Sequence, residues 1–145
     1  MNGERLLLDT VFIQALLNRR DQYHAQAQAI LPRVRNASEV WVTEAVLIEV
    51  GNALSAVNRT AAVQFIEQCY HTPNLRVVTV DTPLLTRALQ LYRERPDKTW
   101  GLTDCISFVV MQEQGLTDAV TESRTFHPSR LSGAVTGVMK AMKLS

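Results

Sequence analysis

Cysteine is scarce in this chain, with two in 145 residues. Cys69 and Cys105 stand far apart inside helical patterns, which excludes a disulfide framework and fits reduced thiols in a cytoplasmic protein. The three histidines, His24, His71 and His127, lack the short Cys/His spacings of a zinc site. Charge of one sign is missing too. Fifteen basic and fourteen acidic residues give a formal charge of +1, so bulk charge calls for neither a nucleic-acid coat nor a membrane surface. Apolar runs are short: Met1 to Arg5 is followed by only three leucines, too few for a signal sequence or a membrane span. No repeat or low-complexity segment occurs. A glycine-rich turn after the first apolar run, needed for dinucleotide binding, is absent. So is an aspartate at position 11, where a dehalogenase-type phosphatase would need one and Val11 stands.

What remains is 46% apolar residues, enough for one core and one domain. The organising stretch is Leu6-Leu7-Leu8-Asp9-Thr10. Three leucines without polar alternation suit a strand covered on both faces, and Asp9 then falls at its carboxyl end. In open α/β sheets ligands bind in the crevice outside that edge.

Further along, Val11 to Leu16 has a helix face that Asn18 to Asp21 ends. Tyr23, Ala27, Ile30 and Leu31 recur at helical steps, and Pro32 predicts a kink or an early end. Val40 to Val42 reads as a strand. Thr43 is placed to cap a helix over Glu44 to Val57 with Val46, Val50, Ala53, Leu54 and Val57 inward. Glu49 lies beside that stripe, a costly place for an unpartnered carboxylate. Ala61 to Tyr70 predicts a helix with Val63, Ile66 and Tyr70 inward. Pro73-Asn74 turns the chain into a strand over Leu75 to Val80. Asp81 or Thr82 then caps a helix carrying Leu84, Leu85, Ala88, Leu89 and Tyr92, and Arg93 to Lys98 reads as a solvated loop. A helix over Trp100 to Met111 has Asp104 in its first turn, Gly115 closes it, and Ala119 to Thr121 is a short buried strand. The order β-α-α-β-α-α-β-α-α-β implies a mostly parallel sheet with right-handed crossovers.

Asp9, Glu49 and Asp104 stand out by position. Taken singly, each has a structural reading: Asp9 as a helix N-cap, Asp104 as an acid favoured by the helix dipole, Glu49 as half of a salt bridge. Taken jointly, carboxylates brought together repel unless a cation lies between them, and Mg²⁺ or Mn²⁺ accepts such oxygen ligands and bridges to a phosphodiester. His24, His71 and His127 read as ordinary helix or loop residues, Cys105 as a small buried side chain and Trp100 as packing at the site rim. Arg93, Arg95, Lys98 and Arg124 are candidate phosphate contacts whose plain alternative is loop solvation.

Leu8 to Phe12 with Asp21 and His24-Ala25, then Thr43 to Leu54, then Leu102 to Val109 together resemble the PIN domain, and within it the VapC-like ribonuclease toxins of toxin–antitoxin pairs. The resemblance covers Leu6 to about Phe126, giving a PIN domain over residues 1–126 and a C-terminal segment over 127–145. It implies a three-layer α/β/α fold with a mostly parallel sheet ordered 3-2-1-4-5. It further implies a Mg²⁺- or Mn²⁺-dependent endoribonuclease with Asp9, Glu49 and Asp104 as catalytic and metal-binding acids, leaving 5′-phosphate and 3′-hydroxyl ends. An antitoxin partner and a homodimer follow from the same likeness. One position departs: Thr121 to Phe126 matches the family's Thr-x-Asp-x-x-Phe arrangement with Ser123 at the aspartate. Thr10, Glu122 and Ser123 are therefore the expected members of a secondary site, and Lys98 and Arg124 the expected RNA contacts. Ser123 also supports an alternative, a PIN-like domain with weak or no nuclease activity that binds RNA or a protein. After Phe126 no compact apolar run supplies a fifth strand, although Leu131, Val135, Val138 and Met142 have helical spacing.

Overall fold

The computed structural model describes residues 3–120 and the strand Thr125–Phe126. Glu122, Ser123, Arg124 and residues 127–145, with the expectations placed on them, lie outside the described residues. The elements follow the anticipated order: β1 (Arg5–Leu8), α1 (Thr10–Leu17), α2 (His24–Arg35), β2 (Glu39–Thr43), α3 (Glu44–Leu54), α4 (Arg59–His71), β3 (Leu75–Val78), α5 (Thr82–Glu94), α6 (Leu102–Gln114), β4 (Asp118–Val120) and β5 (Thr125–Phe126). The sheet runs β3-β2-β1-β4-β5. Its first four strands are parallel, and β5 pairs antiparallel with Ala119 and Val120. A short fifth strand thus precedes the segment after Phe126.

Strand alternation divides the interior in two. Leu6, Leu8, Val40 and Val42 meet Phe12, Ile13, Ala27, Val46, Val50 and Ala62 from α1 to α4. Leu7 and Ala119 point the other way, onto Leu84, Ala88, Phe108 and Met111 of α5 and α6. The result is a three-layer α/β/α sandwich with β1 in the middle. Because β1 has a strand on each side and helices on both faces, its leucines need no polar alternation.

Several faces differ from those the periodicity suggested. In α3 the inward residues are Val46, Leu47, Val50 and Leu54, while Ala53 and Val57 are exposed and the helix stops at Leu54. Leu47 turns the buried stripe away from Ala53, which leaves Glu49 at the solvent. In α4 the buried residues are Ala62 and Cys69, with Phe65 and Ile66 packed against the core, so Val63 and Tyr70 face outward. Leu85, Leu89 and Tyr92 of α5 are exposed because Leu84 and Ala88 make the contact with α6. Helix α2 continues past Pro32 to Arg35, and Arg93 and Glu94 belong to α5 rather than to a loop. Strand β3 stops at Val78, short of Val80.

Local signals held where a hydrogen bond enforces them. Thr43 accepts from the Val46 N–H, and Asp81, not Thr82, accepts from the Leu84 N–H. Gly115 ends α6 at φ 66°, a left-handed conformation that favours glycine. At the amino edge of the sheet the Arg5 Nε donates to Glu39 at 3.1 Å, and its Nη2 donates to the Gln114 carbonyl at 3.1 Å. Trp41 Nε1 also donates to Glu39, at 2.9 Å. These donors, Trp41 first and then Arg5, hold the Glu39 carboxyl below its usual range.

Cys69 is buried and uncrosslinked, and burial pushes its thiol from 9.0 up to about 12. The folded protein therefore keeps that proton where the unfolded chain has released it. This contribution is intact below pH 9.0 and is lost as pH climbs towards about 12. In urea denaturation, wild type is expected to lose more stability between these limits than Cys69→Ala does; parallel losses would show that burial of the thiol contributes nothing.

Candidate functional site

Asp9 and Thr10 follow β1 directly, so the middle strand delivers them to the carboxyl edge. The Asp9 N–H donates to the Val120 carbonyl at 3.0 Å, extending the β1–β4 pairing by one residue. Asp9 has extended dihedrals, φ −94° and ψ 155°, and continues the alternation of the strand. Its side chain thus falls on the side of Leu7, the α5–α6 layer, and Thr10 takes the side of α1 and α3.

Asp9 occupies the N-cap position of α1, yet its side chain makes no capping hydrogen bond. The capping reading of this acid is thereby removed. It is nevertheless only 8% exposed. Thr10, 7% exposed, donates from Oγ1 to Glu49 Oε1 at 3.0 Å. That bond fastens the start of α1 to the second turn of α3. Glu49 is exposed, so its placement rests on the threonine and not on burial in an apolar face.

Asp104 enters from the opposite layer, in the first turn of α6. The Gly101 N–H donates to its Oδ2 at 2.9 Å, so one oxygen completes the helix start. This is the structural role foreseen for an acid at a helix N-terminus. Cys105 beside it is fully buried, and Trp100 packs edge-on against Phe108 at 5.2 Å between centroids. His24 begins α2, where its Nδ1 lies 2.8 Å from the Ala15 carbonyl. His71 ends α4.

Two acids were not singled out by sequence pattern. Glu44, the first residue of α3, accepts from the Tyr70 hydroxyl at 2.9 Å and from the Val80 N–H at 3.2 Å. Its signal was an acid immediately after a strand. Asp118 is buried in β4 opposite Leu6, nearer the amino edge than Val120. A carboxylate opening an apolar strand was the available sign.

Among the expected RNA contacts, Lys98 Nζ lies 5.7 Å from the centroid of the Trp100 ring and Arg95 lies 5.2 Å from it. Arg95 is bound to Asp97 through Nε and Nη2, both at 3.1 Å, and this pairing keeps the Asp97 carboxyl below its usual range.

Among the described residues, no three His, Cys, Asp or Glu side chains are grouped so as to hold a metal ion. The chemistry of the donors still fits a hard cation, since all are carboxylate or hydroxyl oxygens. Mg²⁺ characteristically takes one or two protein carboxylates and keeps several waters, so it does not require three converging acids. Also among the described residues, no helix is long and apolar enough to cross a membrane.

The fold and the acids at its carboxyl edge define an α/β domain of a known kind. The PIN domain family model matches residues 6–127, and the chain belongs to that family. Among solved structures, the chain is similar to the VapC20 toxin of Mycobacterium tuberculosis, described as cleaving the sarcin–ricin loop. The two align with a TM-score of 0.73 and 24% identity over 80% of this chain and 88% of that one, a likeness of fold. No curated protein matches the sequence.

The Thr10–Glu49 bond is open to a direct check. A neutral hydrogen bond contributes about 0.5–1.5 kcal/mol, and one to a charged group about 1.5–3 kcal/mol. Thr10→Val and Glu49→Ala are each expected to destabilise the protein, and the double variant by less than their sum, with a coupling of about 1 kcal/mol. Strict additivity in denaturant titrations would show that the bond does not join α1 to α3.

Proposed function

We propose that this protein is a metal-dependent endoribonuclease and the toxin of a toxin–antitoxin pair. The observation that carries the reading is Asp9: a buried carboxylate at the carboxyl end of the central strand, in a capping position but not capping. Membership of the PIN family and the likeness to a VapC toxin supply the class of reaction.

In this reading Asp9, Glu49 and Asp104 would hold Mg²⁺ or Mn²⁺ at the carboxyl edge, directly or through the waters that the ion keeps. Bound there, the cation would supply a Lewis acid for the phosphodiester and would lower the pKa of a coordinated water. The protein's own part is positional. Asp9 is fixed by the β1–β4 pairing, Glu49 by Thr10, and Asp104 by the start of α6. Thr10, with Glu122 and Ser123, belongs to a secondary part of the site. Lys98 and Arg124 contact RNA, an antitoxin covers the groove, and the toxin works as a homodimer in the cytoplasm.

The test is cleavage of single-stranded RNA with Mn²⁺ by wild type and by Asp9→Asn. Wild type is expected to cleave, and the variant to be slower by about 100-fold or more, the scale on which removing a group that stabilises the transition state acts. Equal cleavage by both would remove Asp9 from the reaction. Cleavage by neither, with RNA binding retained, would favour the non-cleaving RNA-binding alternative, which Ser123 supports.

A further inference from the structure

The end of α5 and the segment leading into α6 border a half-open cavity of about 570 Å³, lined among others by Tyr92, Arg93, Arg95, Lys98, Thr99 and Trp100. Trp100 immediately precedes Gly101, the N-cap of α6, so the cavity's lining ends one residue before the helix start that carries Asp104. Its floor is Trp100, 5% exposed, with the cations of Arg95 and Lys98 held close to its ring. Cations held near an aromatic ring are partly ordered before any ligand arrives. Arg95 is matched by Asp97, but Arg93 and Lys98 form no ion pair among the described residues. The cavity therefore keeps positive charge in a chain whose overall formal charge is only +1. Tyr92, 48% exposed, presents an aromatic side chain at the same wall. Its hydrophobic body is not used by the core, where Leu84 and Ala88 make the α5 contact.

Aromatic side chains and cations lining one space of nucleotide size are the chemistry that holds single-stranded nucleic acid: a base stacks and the backbone is neutralised. We propose that this cavity binds one unstacked nucleotide of single-stranded RNA flanking the cleaved phosphodiester, with its base on Tyr92 and its phosphate between Arg93 and Lys98. The flanking position rests on the nuclease reading above; the binding does not.

The experiment measures binding of a short labelled single-stranded RNA by fluorescence anisotropy in EDTA, where no cleavage is needed, for the full chain and for Tyr92→Ala, Tyr92→Phe, Arg93→Ala and Lys98→Ala. Stacking on one aromatic is worth about 1–3 kcal/mol, so Tyr92→Ala is expected to weaken binding roughly 5- to 100-fold and Tyr92→Phe to restore it. Removal of either cation is expected to lower the slope of log K against log salt by about 0.7. Unchanged thermal melts identify variants that remain folded. Variants that fold and bind as wild type does would overturn the proposal, as would a wild type that binds no single-stranded RNA. The two readings separate cleanly. Weaker binding by these variants of a protein that never cleaves RNA would retain the cavity and discard the nuclease, whereas undiminished binding by variants of an active nuclease would discard the cavity alone.

Discussion

Burial of β1 on every side is the constraint from which the site follows. With β2 and β4 at its edges and helices over both faces, the strand has no place for a polar side chain between Leu6 and Leu8. Polarity returns only where the strand leaves the sheet, at Asp9 and Thr10. Asp9, still extended, keeps the alternation of the strand, whereas Thr10, the first residue of α1, is turned to α3 by its bond to Glu49. The sheet thereby connects two helical layers that share no sequence neighbourhood: Thr10 reaches α3 through Glu49, and Asp9 takes the side of α6, where Asp104 stands.

The acids are held by different means. Asp9 is backed by main-chain pairing, Glu49 by a single hydroxyl, and Asp104 by a helix start that employs one of its oxygens. An exposed glutamate on a single tether has more freedom than a buried aspartate on a paired strand.

Much of this was legible in the chain. Leu6 to Asp9, the capping Thr43 and Asp81, and Gly115 at the end of α6 are local signals enforced by local physics, and the element order follows from them. Orientation was harder to read. Periodicity runs the stripe of α3 through Val50, Ala53 and Val57, but the helix ends at Leu54, and Leu47 rotates its buried face. Glu49 was singled out as a charge among apolar residues, whereas it is exposed and accepts a hydrogen bond from Thr10. In α4 and α5 the surplus of apolar residues concealed which face met the sheet, since periodicity cannot choose between two apolar stripes. Only packing decides that.

At the far end of the sheet, Arg5 joins β1 to β2 through Glu39 and to the last turn of α6 through the Gln114 carbonyl. Trp41 adds a further bond to the same carboxylate. Strand register is thus pinned at the edge where no chemistry is placed. The connections leaving the other edge can change length and composition without unfastening the sheet, which makes them the natural place for such a domain to acquire a new target.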